Sequence, residues 1–426
     1  MKNNSKKRNP WAWIPSLYFA EGLPNIAVTF IAVVMYKNLG MSNTDIALYT
    51  SWFYLPWVIK PFWSPFVDIL KTKRWWILSM QLLIGAGFAG IAFSIPTHFH
   101  IQLTLAFFWL IAFSSATHDI ASDGFYLLGL EPNEQAFFVG IRSTFYRFST
   151  IFGQGILVLL AGILEKKTGD IPFAWSLTFF IIAGLFLALF AYHKFILPYP
   201  KTDKLNPQKT ASDILKEFAQ TFVSFFKKEG ALAAIFFMLT YRFSEVQLLK
   251  LVQPFMLDPI DKGGLGLDTS QVGVVYGIIG TIGLLLGGIL GGFVASRGGL
   301  KKWLWPMMLS MLLTSIVFVY LAYFPESNLF IINFCVFLEQ FGYGFGFTAY
   351  MLFLMYYSKG KHRTAHYAIC TGFMALGKMF PGMFSGWIQE QIGYQHFFIY
   401  VMICSIVPII AASLLKIDPE YGKATR

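Results

Sequence analysis

Charge is what this chain has least of. Asp, Glu, Lys and Arg supply 13% of its 426 residues, where a soluble domain carries about 25%. A soluble chain of this length would divide into two or three charge-coated domains, and the composition excludes that. Cysteine is scarce too. Cys335, Cys370 and Cys404 all lie inside apolar runs, so they read as small packing or lipid-facing residues and report nothing on redox compartment. Phosphate loops, nucleotide fingerprints and nucleophile elbows are missing. The run Gly342-Tyr343-Gly344-Phe345-Gly346 has the wrong glycine spacing and follows no strand. An ATP-driven pump is therefore not expected, and no cofactor is.

Apolar residues, by contrast, reach 56%. They come in repeated blocks of roughly 20, the length that crosses a bilayer core. Expected spans 1 to 6 fall near 11–36, 45–67, 74–95, 101–128, 135–164 and 171–196. Spans 7 to 12 fall near 230–258, 269–296, 301–323, 328–357, 363–389 and 393–415. The first run follows Lys6-Lys7-Arg8 and is long, so it reads as a retained span rather than a leader. Between the two sets, Pro198-Tyr199-Pro200 opens a Lys-rich stretch. There Ile214, Phe218, Phe222 and Phe225 recur at helical spacing, which predicts an amphipathic helix on the membrane surface. The expected architecture is an all-α membrane protein of twelve transmembrane helices in two pseudo-symmetric six-helix bundles. These are 1–196 and 230–426, joined by a linker over 197–229.

The Lys and Arg distribution sets the orientation. Of the loops, only four positions on the alternate side are basic (Lys37, Lys166, Lys167 and Lys262), while the other side holds most of the 33 basic residues. Both termini are thus expected in the cytoplasm, with the chain in the inner membrane as a monomer. The net charge of +11 is this inner-face bias, not a nucleic-acid footprint.

An internal repeat supports two halves. Phe66-Val67-Asp68-Ile69-Leu70-Lys71-Thr72-Lys73-Arg74-Trp75 closes span 2. Phe293-Val294-Ala295-Ser296-Arg297-Gly298-Gly299-Leu300-Lys301-Lys302-Trp303 closes span 8. Short basic turns in that position resemble the loop motif of the major facilitator superfamily.

The most informative residues are ionisable groups inside the spans: Glu21, Lys60, Asp119, Asp123, Arg142, Arg147, Arg242, Glu245, Lys250, Glu339 and Lys378. Each costs roughly 2.5–3.5 kcal/mol at the bilayer centre unless partnered or wet. Counting about 1.5 Å per residue places Asp119 and Arg147 at one depth and Asp123 and Arg142 at another, nearer the inner face. We therefore expect Arg147 to pair with Asp119, with Asp123 as its alternative partner. Glu21 precedes Gly22-Leu23-Pro24, where a break in the helix is expected. It and Asp119 are the candidate proton carriers, with Asp123. Arg242 and Glu245 lie three apart, close enough to pair on one helix. Glu339-Gln340 sits beside the glycine run, whose residues suit close packing. Asp68 at the inner end of span 2, with Arg74 and Arg363 nearby, is a candidate latch. His362 and His366 are four apart, but no acid or cysteine accompanies them, so they read as surface residues and no metal is expected.

Several blocks resemble the AmpG-type muropeptide permeases of that superfamily. They are Gly22-Leu23-Pro24, Trp63-Ser64-Pro65-Phe66-Val67-Asp68, Thr117-His118-Asp119-Ile120-Ala121-Ser122-Asp123 and Tyr146-Arg147. The resemblance implies import of cell-wall fragments driven by protons, with Asp119, Asp123 and Arg147 functional. His118 stands where that family usually has Gln, and Glu21 where it has a small residue. Another amino sugar or oligosaccharide is therefore the alternative cargo. A membrane-embedded transferase or flippase is disfavoured, because the charges lie at mid-depth on spans 1, 4, 5, 7 and 10 rather than at one face. Tyr18, Trp52, Tyr146, Arg142, Arg147, Tyr241, Arg242, Glu245, Glu339, Gln340 and Tyr343 are the expected cavity residues, with aromatics suited to stacking on sugar rings. Expected partners are a sugar or glycopeptide, protons and membrane lipids.

Overall fold

Hydrocarbon leaves a backbone no solvent to bond, so a chain this apolar must satisfy its peptide groups within helices. The computed structural model describes residues 8–200, 203, 211–360 and 363–423, and among them every regular element is helical. Nine helices are long and apolar enough to cross a membrane among the described residues. Two of these, Thr269–Tyr323 and Ala365–Ser413, have 55 and 49 residues, about twice the length needed. Each turns back at a glycine in the left-handed region, Gly299 (φ 76°) and Gly393 (φ 75°), a conformation that side chains with a Cβ resist. A further pair, Asn43–Trp52 and Leu55–Leu70, is interrupted in the middle. This set is consistent with the twelve expected spans.

Polar residues at the turns cap the helices. Thr72, Asp170 and Asn328 accept backbone N–H bonds from Trp75, Phe173 and Ile331. Capping boxes form at Glu131/Glu134 and Asp268/Gln271. Each supplies an acceptor to a helix end that has none of its own. The break expected at Pro24 does not occur. Helix Ile14–Ile26 widens into a π segment, Ala27–Ile31, and continues as Ala32–Asn38. A wider turn absorbs the hydrogen bond that proline removes. Gly22 instead serves close packing, since a methyl there would meet Ser149 Oγ and the Tyr146 carbonyl.

The chain forms two packed units: 1–32 with 59–216, and 33–58 with 217–426. In the first, Trp13, Leu17, Ile77 and Phe125 centre a core built by spans 1, 3 and 4. In the second, Phe237, Met307, Tyr350 and Phe353 centre a larger one. The linker helix Ala211–Phe226 is present, but its Phe225 does not face lipid. Phe225 is fully buried against Tyr357, His366 and Phe373 of the second unit, and Phe222 packs beside it. The side chains of Ile214 and Phe218 lie outside the described residues.

Glycines decide how closely the second unit packs. Gly283 and Gly287 on span 8 lie against the Phe337 and Phe341 carbonyls of span 10, and Gly344 lies against that of Leu284. Gly342 and Gly346 point the other way, onto Ser310, Thr314, Met307 and Met311 of span 9. Alternate glycines thus let one helix contact two neighbours at backbone distance. Gly344→Ala should cost about 1–3 kcal/mol by overpacking. Gly292→Ala, where an added methyl meets nothing within 4 Å, should be neutral or slightly stabilising. Thermal unfolding in detergent compares the two, and equal midpoints would refute the packing argument.

Candidate functional site

The first unit gathers its buried charges on spans 1, 2, 4 and 5. Asp119 and Asp123 are four apart on the helix His100–Gly129, so they share a face. Arg142 Nη1 donates to Asp123 Oδ1 at 3.0 Å and to the Tyr18 hydroxyl at 2.9 Å. Tyr18 in turn donates to Asp123 Oδ1 at 3.3 Å. The guanidinium lies 5.0 Å from the Tyr18 ring and 4.9 Å from that of Tyr126, a cation–π cradle that replaces part of its lost hydration.

Asp119 is held differently from expectation. Its recorded ion pair is with Lys60, Nζ to Oδ2 at 3.6 Å, not with Arg147. The depth count compared spans 4 and 5 alone, whereas a third helix, Leu55–Leu70, brings its lysine to the same level. Glu21 is 8% exposed and lies within electrostatic range of Asp123, Asp119, Lys60 and Arg142. Its Oε2 is buried without a hydrogen bond among the described residues. Lys60 and Arg142 thus hold two of the three carboxylates, Asp119 and Asp123, and Glu21 makes no ion pair among the described residues. Tyr146 and Arg147 are half-buried on the same helix as Arg142.

Behind the acids runs a polar chain that sequence reasoning missed. Ser16 Oγ bonds His193 Nε2 (2.9 Å), His193 Nδ1 bonds Gln81 Oε1 (3.0 Å), Gln81 Nε2 bonds His118 Nε2 (3.0 Å), and His118 Nδ1 meets Ser122 Oγ (3.3 Å). Four spans are tied by it. His118 and Ser122 each precede one acid, so the chain fixes the rotation of span 4 that turns Asp119 and Asp123 toward their partners. Gln81 within apolar span 3 and His193 in the last turn of span 6 were the available signal.

In the second unit the helix restarts at Arg242, which caps Phe243–Leu257. Its guanidinium grips Glu245 through two bonds of 2.7 and 2.8 Å, as the three-residue spacing predicts. It also lies over Tyr343 and Phe347 at 5.0 and 5.3 Å. Gln340 donates to both Glu339 Oε2 (2.9 Å) and the Tyr276 hydroxyl (2.8 Å). Tyr241 is a correction: it stacks on Tyr350 at 4.7 Å inside the core and donates to the Gly346 carbonyl, so it packs helices together rather than lining a cavity. Trp52 is 38% exposed.

A second unforeseen cluster sits at the adjoining ends of spans 1, 2, 7, 11 and 12. Lys37 Nζ pairs with Asp258 Oδ1 at 2.6 Å, and Asp258 Oδ2 accepts from Tyr394 at 2.6 Å. Asn43 bonds Lys37, Tyr394 and Gln389. These bonds hold segment 33–58 within the second unit. Of the expected latch, the side chains of Asp68 and Arg363 lie outside the described residues. Arg74 donates to the Lys194 carbonyl and lies 4.0 Å from the Tyr199 ring. His362 is likewise outside them. His366 is buried and bonded to Ser224 at 2.9 Å, so the surface reading fails for it.

Charges buried along membrane-spanning helices and paired between helices fit a polytopic membrane transport protein. Residues 16–359 match the Major Facilitator Superfamily, and the chain belongs to that family. An anhydromuropeptide permease of Escherichia coli is 24% identical over 414 residues, 96% of this chain and 80% of the relative. A putative transporter AmpG 4 of Rickettsia felis is 25% identical over 410 residues, 92% of each chain. The resemblance expected from the sequence blocks is thereby borne out. The crystal structure of a D-xylose-proton symporter superposes with a TM-score of 0.69 at 14% identity, covering 97% of this chain and 98% of that one. That likeness shows the shared fold.

Two outcomes follow from the geometry. Lys60→Gln alone or Asp119→Asn alone strands a partly buried charge and should cost about 1–3 kcal/mol, with the double variant recovering most of it. Additive losses in a double-mutant cycle on thermal unfolding, or coupling of Asp119 to Arg147 instead, would refute the pairing. His118→Ala leaves the Gln81 amide unpartnered and should cost about 1–3 kcal/mol. His118→Gln, which keeps a donor and an acceptor, should cost less than half as much in the same assay.

Proposed function

We propose that this chain imports cell-wall muropeptides, N-acetylglucosaminyl-anhydro-muramoyl sugars with or without peptide, by proton symport and alternating access. The observation that carries the reading is the first-unit cluster, in which Glu21 is the buried carboxylate left without an ion pair beside Lys60–Asp119 and Arg142–Asp123. A carboxyl so placed can take up a proton without breaking an ion pair, while a proton on Asp119 or Asp123 would release Lys60 or Arg142. The cargo assignment draws its support from the anhydromuropeptide permease similar to this chain over 96% of its length.

In this reading Tyr18, Trp52, Tyr146, Arg142, Arg147, Arg242, Glu245, Glu339, Gln340 and Tyr343 are the cargo-contacting residues. Asp68, Arg74 and Arg363 latch the inner ends of the spans, and 197–229 links the halves. The protein works as a monomer with both termini in the cytoplasm.

Proteoliposomes carrying the purified protein test this. An inward proton gradient should accelerate uptake of radiolabelled N-acetylglucosaminyl-anhydro-N-acetylmuramic acid, and an uncoupler should abolish accumulation. Glu21→Gln should lose gradient-driven accumulation at least about tenfold while retaining cargo exchange, since exchange needs no net proton movement. Uptake indifferent to the uncoupler would end the symport reading. Uptake of free amino sugars but not of the disaccharide would end the muropeptide one.

A further inference from the structure

The second unit holds a positive cluster that the coupling scheme does not use. Lys250 lies in the helix Phe243–Leu257 and is 4% exposed. Lys378 lies near the middle of the span beginning at Ala365. Their ammonium groups sit 5.2 and 5.5 Å from the centre of one ring, that of Tyr54. Lys250 donates to Thr50 Oγ1 at 2.9 Å, a neutral oxygen. Neither lysine makes an ion pair among the described residues. Lys378 also feels the charges of Arg242, Glu245 and Lys250, but Glu245 is already engaged in both its oxygens by Arg242.

Beside them the Ser51 hydroxyl is fully buried and has no hydrogen-bond partner among the described residues. Gly382 is the floor under it: a methyl there would stand 2.7 Å from Ser51 Oγ and 3.3 Å from Lys250 Cε. Two lysines thus lie against one ring, with an unpartnered hydroxyl and a glycine beside Lys250. Cation–π contact returns less than the cost of burying an unpaired ammonium. Two like charges on one aromatic ring also repel. A structural role would have been served better by an acid on a facing helix, as Asp119 serves Lys60.

We propose that Lys250 and Lys378, with Ser51 and Thr50 over Tyr54 and Gly382, form a carboxylate-binding subsite for the cargo. This deepens, and rests on, the reading of the cargo as an acidic cell-wall sugar. The carboxylate can come from the lactyl ether of an anhydro-muramic sugar or from the peptide attached to it. In either case the anion bridges the two ammonium groups and accepts from Ser51, supplying the countercharge that the helices themselves do not.

The test measures ligand-induced thermal shift and affinity for the full-length protein in nanodiscs, wild type against Lys250→Gln, Lys378→Gln and the charge-retaining Lys250→Arg. The probes are anhydro-N-acetylmuramic acid, its methyl ester, its peptide-bearing form, and the pair glucuronate and glucose. The wild type should bind an acid about tenfold to a hundredfold more tightly than its neutral counterpart. Both Gln variants should lose that preference without losing affinity for the neutral probe, and Lys250→Arg should keep it. Preference for the free sugar acid alone identifies the lactyl carboxylate, and preference for the peptide-bearing form alone identifies the peptide. Without ligand, Lys250→Gln should unfold at the wild-type temperature or above, because it removes a charge that has no partner. If glucuronate but no muramic probe shows a lysine-dependent preference, the subsite stands and the muropeptide reading falls. If no acid is preferred, or the Gln variants lose acid and neutral probe alike, the subsite is refuted. A Lys250→Gln protein that unfolds well below wild type in the absence of ligand also refutes it, since the lysine would then be structural.

Discussion

An ion within hydrocarbon has no water to solvate it, so a buried charge in this protein takes its solvation from other polar groups and aromatic faces. The arrangement of the first unit follows from that need. Arg142 takes its solvation from Asp123, the Tyr18 hydroxyl and two aromatic faces. Lys60 and Asp119 supply one another across two helices. Each pairing fixes the rotation of the helices that bear it, because a charge turned away from its partner would face lipid. The neutral chain from Ser16 through His193, Gln81 and His118 to Ser122 holds the same rotation from behind.

Rigid packing and local looseness are distributed unevenly. Spans 8 and 10 meet at backbone distance through glycines, which leaves little freedom to slide. Among the described residues three π segments interrupt the helices, at Ala27–Ile31, Ile151–Leu157 and Gly273–Gly280, the last at the start of span 8. Each adjoins the polar residues of a cluster: Glu21 precedes the first, Arg147 the second, and Tyr276, bonded to Gln340, lies within the third. A π turn shifts the register of the helix beyond it, so the charged residues sit where the helices are easiest to reshape.

The two units differ in which buried charge lacks an ion pair among the described residues. In the first it is an acid, Glu21, beside the pairs Lys60–Asp119 and Arg142–Asp123. In the second, Arg242 pairs with Glu245 and Glu339 is held by Gln340, while Lys250 and Lys378 lie against Tyr54. Both are local arrangements within one unit. Segment 33–58 contributes to the second of them, bringing Thr50, Ser51 and Tyr54 beside Lys250. Lys37, Asp258, Asn43 and Tyr394 bind the ends of neighbouring helices in place.

Apolar blocks of membrane-spanning length, basic turns and buried charges were enough to read the class, the helical fold and the identity of most cluster residues from the sequence alone. Local rules also predicted the Arg242–Glu245 pair, because three residues on a helix face bring it about. What the sequence could not decide was every partnership between helices. Asp119 joined Lys60 rather than Arg147, Tyr241 went into the core, Phe225 docked on the second unit instead of lipid, and Ser16, Gln81, His118 and His193 met from four spans. Depth along a helix is a sum of rises and can be counted. Which face turns toward which neighbour depends on how all the helices pack at once, and only the tertiary structure contains that.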